Sequence, residues 1–426
     1  MKIFRSVPAV WTGWICFRLI LIGLLQWNNV PLGDISYYFS ERFGTNSSDM
    51  TEYPHPGTWP SILVGWLSGP NQTSFTGIFT GLCLLVDAAF LMVLLHGWRR
   101  KPQAFVAAWF WVIFGTAVGQ VFVWRLDIFP ALAVAAAGML LGRNSRLAAA
   151  LLGLATTMKL WPGVLAAGLV GRFNARATWQ RLSAFVASIV GICMLVIAFN
   201  DVERLISPLR YQGVRGLQVE SIPATLPVFA SHLFPDTWSI GYAASKSFEI
   251  TGPWVSALLV LSNVLTLAML FFAIGFALMR FRNGNWGARS TLAFFITMIC
   301  LLFISNKVFS TQYIIWLGPI LAIALKHAWP RASSVAHQLI DEKVGKVLRN
   351  LALCTLAAAA LGTLVYPFNY DAVLYAGRDG LFPAFLLLAR NVLILVMTGL
   401  ALSWLRLELK RENTSSTKQA AKQTTQ

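Results

Sequence analysis

Residues 143–181 read RNSRLAAALLGLATTMKLWPGVLAAGLVGRFNARATWQR, and they decide the fold. The apolar stretch inside them, 147–170, is long enough to cross a bilayer once, since about 20 apolar residues span the hydrocarbon core. Basic residues flank it on both sides, however: Arg143 and Arg146 before it, Arg172, Arg176 and Arg181 after it. Lys and Arg collect on the cytoplasmic side of membrane segments, so a single crossing contradicts the charges. Pro162 resolves the conflict, because proline ends a helix at or before the preceding residue. Two short helices, 147–158 and 161–171, return the chain to the side it left. The turn between them puts Lys159 near the outer face.

Working outward, comparable apolar runs recur at 8–26, 76–97, 104–124, 128–142, 182–199, 254–279, 290–304, 312–328, 350–366 and 381–405. With the hairpin, these predict an all-α polytopic membrane protein of about twelve transmembrane helices, with outer-face loops and short interfacial helices. Residues 1–412 read as one integral membrane domain, and the polar stretch 413–426 as a disordered cytoplasmic tail. Lys2 and Arg5 precede the first run with no small-residue cleavage site close behind, which reads as an uncleaved anchor. Of the 34 Lys and Arg residues, 23 fall on segments this topology places inside, and 12 of the 17 Asp and Glu residues fall outside. Both termini are therefore expected in the cytoplasm of a multi-pass cell-membrane protein.

Composition agrees. Apolar residues make up 57% and charged residues 12%. A soluble domain carries about 25% charged residues, and a disordered chain lacks this hydrophobicity. The net charge of +17 belongs to the inner loops, so membrane lipids are the expected surroundings and no nucleic acid is expected. The five cysteines all lie in apolar runs and read as small fillers, with no disulfide and no metal.

The outer segments 27–75, 200–253 and 366–380, with the links 125–127 and 305–311, are the places with enough polar chemistry for a site. Asp34 follows the first run closely and stands at the interface. There it is either a general base for a hydroxyl nucleophile or an ordinary helix-capping aspartate. His55, between Pro54 and Pro56, is a base, a ligand or a structural residue. Arg125 and Asp127 form a local ion pair or present Arg125 to an anion. Lys159, charged in an apolar setting, binds a phosphate or snorkels to headgroups. Arg215, Gln218 and Glu220 crowd one loop, and Lys307 and Gln312 another, in a mixture suited to sugar hydroxyls and a phosphate as well as to plain structure. There is no P-loop, no GxGxxG after a strand, no HExxH and no Cys/His cluster. No cofactor or metal is expected, and an enzyme here draws its energy from a lipid-borne donor.

Taken together, several segments resemble the membrane glycosyltransferases of the GT-C fold, most closely glycosyltransferase family 87. They are Gly33-Asp34 with Tyr37 and Tyr38, Tyr53-Pro54-x-Pro56, Arg125-x-Asp127-x-Phe129-Pro130, Lys159-Leu160-Trp161-Pro162, 215–221 and 307–313. The resemblance implies a mannosyltransferase that uses a polyprenyl-phosphate sugar donor at the outer face. Its acceptor is a lipid or glycan hydroxyl, and it inverts the anomeric centre with Asp34 as base. It further implies that Lys159, Arg125, Arg215 and Lys307 bind the phosphate, with Glu220 a second carboxylate for the sugar. One departure stands out. His55 separates Pro54 from Pro56, where many relatives have adjacent prolines. Ile35 follows Asp34, unlike the Asp-Glu pair of protein O-mannosyltransferases.

Two other classes fit the composition. A transporter or lipid flippase needs polar groups along a path, for which Arg18, Asp87 and Arg390 are the mid-span candidates; Arg18 and Asp87 could equally pair with each other. A membrane scaffold needs only the outer loops rich in Trp, Tyr and Pro.

Overall fold

The computed structural model describes residues 5–44, 50–200, 202–213, 215–284, 286–329, 338–375 and 377–424. In chain order these form α1 (Val7–Trp27), α2 (Leu32–Phe43), α3 (His55–Ser68), α4 (Gln72–Leu95), α5 (Gln103–Ala117), α6 (Ile128–Leu140), α7 (Ser145–Met158), α8 (Arg176–Phe199), α9 (Glu203–Gly213) and α10 (Thr225–Leu233). Strands β1 (Ser239–Tyr242) and β2 (Phe248–Thr251) follow. The chain ends with α11 (Val255–Asn283), α12 (Ala288–Ser305), α13 (Gly318–His327), α14 (Gln338–Thr363), α15 (Tyr370–Tyr375) and α16 (Leu381–Thr424).

Among the described residues, seven helices are long and apolar enough to cross a membrane: α1, α4, α8, α11, α12, α14 and α16. Their outward faces are apolar. Met194 on α8 is 63% exposed and Phe271 on α11 is 69% exposed. Apolar surface of this extent is the lipid-facing side of a polytopic membrane protein. Helix α12 lies at the centre, with most of its length buried against α11 and α16.

The shorter apolar helices α5, α6 and α7 accompany these spans. The break at the decisive stretch is present. Helix α7 stops at Met158, Lys159 is extended (φ −157°, ψ 135°), and Trp161–Leu169 winds on as 3-10 turns. Two other apolar runs are broken where the sequence suggested continuous spans. The run 104–124 stops being α-helical at Ala117, where Gly119 takes φ +68° and Gly119–Phe122 forms a 3-10 turn. The run 312–328 begins as 3-10 turns over Thr311–Trp316 before α13 starts at Gly318-Pro319. Non-helical backbone at membrane depth is tolerated where protein surrounds it, and both breaks are almost wholly buried.

One large apolar core runs through the bundle. A second, smaller one joins Leu217, Val219, Val228, Ile250, Val373 and Leu387. The second core makes these segments a packed cap. Within it β1 and β2 pair antiparallel, Ser239 opposite Thr251, in a hairpin absent from the all-α expectation. The last helix continues as helical backbone to Thr424, through the stretch read as a disordered tail; residues 425–426 lie outside the described residues.

Helix α3 abuts the end of α7. A Cβ on Gly57 would meet the Met158 carbonyl oxygen at 2.2 Å, a backbone atom that cannot swing aside. Gly57→Ala is therefore expected to force the two elements apart and destabilise the protein by about 1–3 kcal/mol. Thermal unfolding in detergent measures this, and an unchanged midpoint contradicts the close approach.

Candidate functional site

Four chain breaks converge on one set of charges. The first turn of α2 carries Asp34, where the helix N-terminus suits a carboxylate. Its carboxylate pairs with Arg125 Nη2 at 2.6 Å. Arg125 lies in the irregular link between α5 and α6 and is held from several sides. Its Nε donates to Gln312 Oε1 at 2.6 Å, Nη1 to the Pro31 carbonyl at 3.0 Å, and Nη2 to the Tyr366 hydroxyl at 3.1 Å. A guanidinium with five fixed donors suits such a hub.

A second ion pair lies two residues along the same link. Asp127 precedes α6 but makes no cap hydrogen bond. Its carboxylate accepts from Lys159 Nζ and from Trp316 Nε1, each at 2.5 Å. Because Lys159 is extended at the end of α7, its side chain leaves the helix and lies over the rings of Tyr313 and Trp316. The ammonium is 5.1 Å from the Trp316 ring centroid and 5.2 Å from that of Tyr313. Trp161 stacks on Trp316 at 4.9 Å, and Tyr313 on Trp316 at 4.1 Å. The local Arg125–Asp127 pair considered from sequence is thus replaced by two crossed pairs, Asp34–Arg125 and Asp127–Lys159.

Opposing electrostatic effects act on Asp34. It lies under a deep shell of protein atoms, yet 35% of its side chain remains accessible. Burial raises its carboxyl above the ordinary aspartate range; Arg125 opposes this, and Asp127 and Glu52 add to it. Burial alone would lower the Arg125 guanidinium, but Asp34 and nearby tyrosines outweigh it and hold it charged. Burial also pushes up the phenols of Tyr38 and Tyr53, which stay neutral. Tyr38 is one helical turn beyond Asp34 and 1% exposed, and its hydroxyl interacts with that of Tyr53. The Trp161 indole N–H is buried without a partner among the described residues.

A polar cavity of about 420 Å³ opens beside this set, between α2, α3 and α9. Tyr38, Arg42, His55, Ser61, Glu203 and Arg204 are among its walls, whereas Asp34 is not. His55 begins α3, and its Nδ1 accepts from Trp59 Nε1 at 3.1 Å. Over α2 the turn of the hairpin brings Lys246 to the Tyr37 hydroxyl at 3.0 Å, and that hydroxyl donates to Glu52.

Other sequence candidates form a separate cluster. Glu220 is 1% exposed and fully engaged: it accepts from Arg390 Nη1 at 2.6 Å, from Thr311 Oγ1 at 2.9 Å and from the Thr311 N–H at 3.2 Å. Gln218 accepts from the Phe309 N–H at 2.8 Å. These bonds fasten the loop to the segment that carries Gln312, so Glu220 and Gln218 position Arg125's acceptor. Lys307 is half-buried, and its ammonium makes no ion pair or hydrogen bond among the described residues. Arg215 is half-buried at the start of the same loop. Tyr366, Trp316 and Glu52 are not among the sequence candidates, and Trp161 enters only as part of the 159–162 segment; an aromatic-proline pair at 366–367, like that at 161–162, is the signal that marks Tyr366.

Of the mid-span charges, Arg18 and Asp87 pair with each other at 2.6 Å, and Arg390 is taken by Glu220. No protein-family model matches the chain, nor does any curated protein or solved structure.

Proposed function

We propose that the protein is a membrane glycosyltransferase of GT-C type that moves a sugar from a polyprenyl-phosphate carrier to a hydroxyl of a glycolipid or lipoglycan. Mannose is the sugar the resemblance implies. The observation that carries this reading is the convergence of the crossed pairs Asp34–Arg125 and Asp127–Lys159 at chain breaks on one end of the bundle. Asp34 takes the proton of the acceptor hydroxyl, whose oxygen forms a bond to the anomeric carbon. The bond from that carbon to the phosphate oxygen breaks, with inversion, and polyprenyl phosphate departs with the electron pair. Arg125 and Lys159 supply the positive charge that the leaving phosphate needs. The polar cavity beside Tyr38 admits the acceptor, and the Trp161 N–H, buried without a partner among the described residues, remains to donate to a sugar oxygen. Twelve crossings, both termini in the cytoplasm and the reaction at the outer face complete the topology, in keeping with the basic inner links.

A transporter would use the mid-span charges along a path. Their pairing with each other and with Glu220 favours the enzyme.

The pH dependence of transfer tests this reading. A base works when ionised, so a raised Asp34 pKa means that activity is full on the alkaline side. It falls on acidification at a pH above the ordinary aspartate value of about 3.9. Arg125 favours the ionised form, so Arg125→Met is expected to move the acid limb to still higher pH while lowering kcat/KM. An acid limb that stays in place contradicts the pairing of base and clamp, and absence of transfer from every polyprenyl-phosphate sugar contradicts the function itself.

A further inference from the structure

The far end of the bundle holds a second cluster of charge. Helices α14 and α16 pack along each other, and a groove of about 440 Å³ runs between them. Lys343 and Lys346 line it from α14, and Arg406 and Lys410 from α16, over a floor of Val347 and Leu407. The spacing is helical on both sides, i and i+3 on one helix and i and i+4 on the other, so the four cations face one opening.

None of the four side chains makes an ion pair or hydrogen bond among the described residues, although acids are near. Glu408 pairs with Arg289 at 2.9 Å, Glu412 with Arg280 at 3.5 Å, and Asp341 with Arg411. Glu342, next to Lys343 in sequence, does not line the groove. Four exposed like charges in one groove repel each other, and an anion relieves that repulsion.

Position identifies the anion. Lys343 precedes Thr363, at the other end of α14, by a rise of roughly 30 Å, one hydrocarbon thickness. The groove therefore lies at the membrane face opposite the Asp34 site. Towards the membrane, both helices continue as exposed apolar surface, with Leu353 at 58%, Leu402 at 38% and Val396 at 46%. Leu353 is two turns from Lys346 and Leu402 one turn from Arg406, each on the same helix face. Cations just beyond an apolar stripe match the junction between headgroup and acyl chains.

We infer that this groove binds the headgroup phosphate of an anionic phospholipid, whose acyl chains lie along α14 and α16. The site is independent of sugar transfer.

The test uses the full-length protein purified in detergent, with lipid retention read by native mass spectrometry. Phosphatidylglycerol is expected to be retained in preference to phosphatidylcholine. The variant Lys343→Gln/Lys346→Gln/Arg406→Gln/Lys410→Gln is expected to lose that retention by about tenfold or more, since basic residues at the membrane surface attract anionic headgroups. A control that removes equal charge elsewhere, Arg99→Gln/Arg100→Gln/Arg143→Gln/Arg146→Gln, keeps it. So does the charge-preserving set Lys343→Arg/Lys346→Arg/Arg406→Lys/Lys410→Arg. Equal retention by the fourfold groove variant overturns the inference, as does equal retention of phosphatidylcholine by the native protein. If inorganic phosphate raises the melting temperature as much as phosphatidylglycerol does, the lipid assignment is overturned.

Discussion

Exchanging Asp34 for asparagine is expected to lower the kcat of sugar transfer by about 10²–10⁴-fold, the contribution of a positioned general base. Asparagine keeps the shape of the side chain and removes its basicity. The fold should survive, because Arg125 retains acceptors in Gln312 and the Pro31 carbonyl. The Asp34 position is also partly accessible, so the change leaves no sealed, unpaired group. Asp34→Glu keeps the charge but shifts the carboxylate by one methylene, and an intermediate rate is expected. Initial rates and melting temperatures of the three proteins separate chemistry from folding. Full turnover by Asp34→Asn removes the base from Asp34, and an unfolded variant makes its role structural.

The second large effect concerns stability. Arg18 and Asp87 are 3% and 0% exposed, joined by Nε to Oδ2 at 2.6 Å and Nη2 to Oδ1 at 2.9 Å. Trp14 Nε1 donates to the same carboxylate at 2.8 Å, and Arg18 reaches the Val112 carbonyl at 2.9 Å. Breaking a buried pair by removing one partner costs about 3–5 kcal/mol, because the other charge is left uncompensated. Arg18→Met should therefore destabilise strongly. The double variant Arg18→Met/Asp87→Asn should recover much of the loss, since no buried charge remains. Unfolding in mixed micelles compares them. Equal losses in the single and double variants mean that packing around Arg18, rather than the stranded carboxylate, sets the cost.

Sequence carried the membrane character and the break at Lys159 because both rest on local quantities: apolar length, flanking charge and a proline. It carried Asp34, Arg125 and Lys159 as individuals by their placement next to apolar runs. Their partners were not legible. Arg125 and Asp127 look like a pair in sequence, but the helix starting at Ile128 and the extended Lys159 send the two side chains to different neighbours. Glu220 and Arg390 are 170 residues apart, and nothing local to either announces the other. The breaks at Gly119 and before Gly318 sit inside runs whose apolar composition is the same whether the backbone is α-helical or irregular. The hairpin around Lys246 is short and half polar, so its pattern merges with that of a loop.

The most direct measurement of the proposed activity incubates the purified native protein with polyprenyl-phosphate-[14C]mannose and a membrane lipid extract and follows the label. A new labelled glycolipid formed by the native protein and missing with Asp34→Asn is the expected result. No labelled product across a panel of polyprenyl-phosphate sugars, with the protein folded, contradicts it.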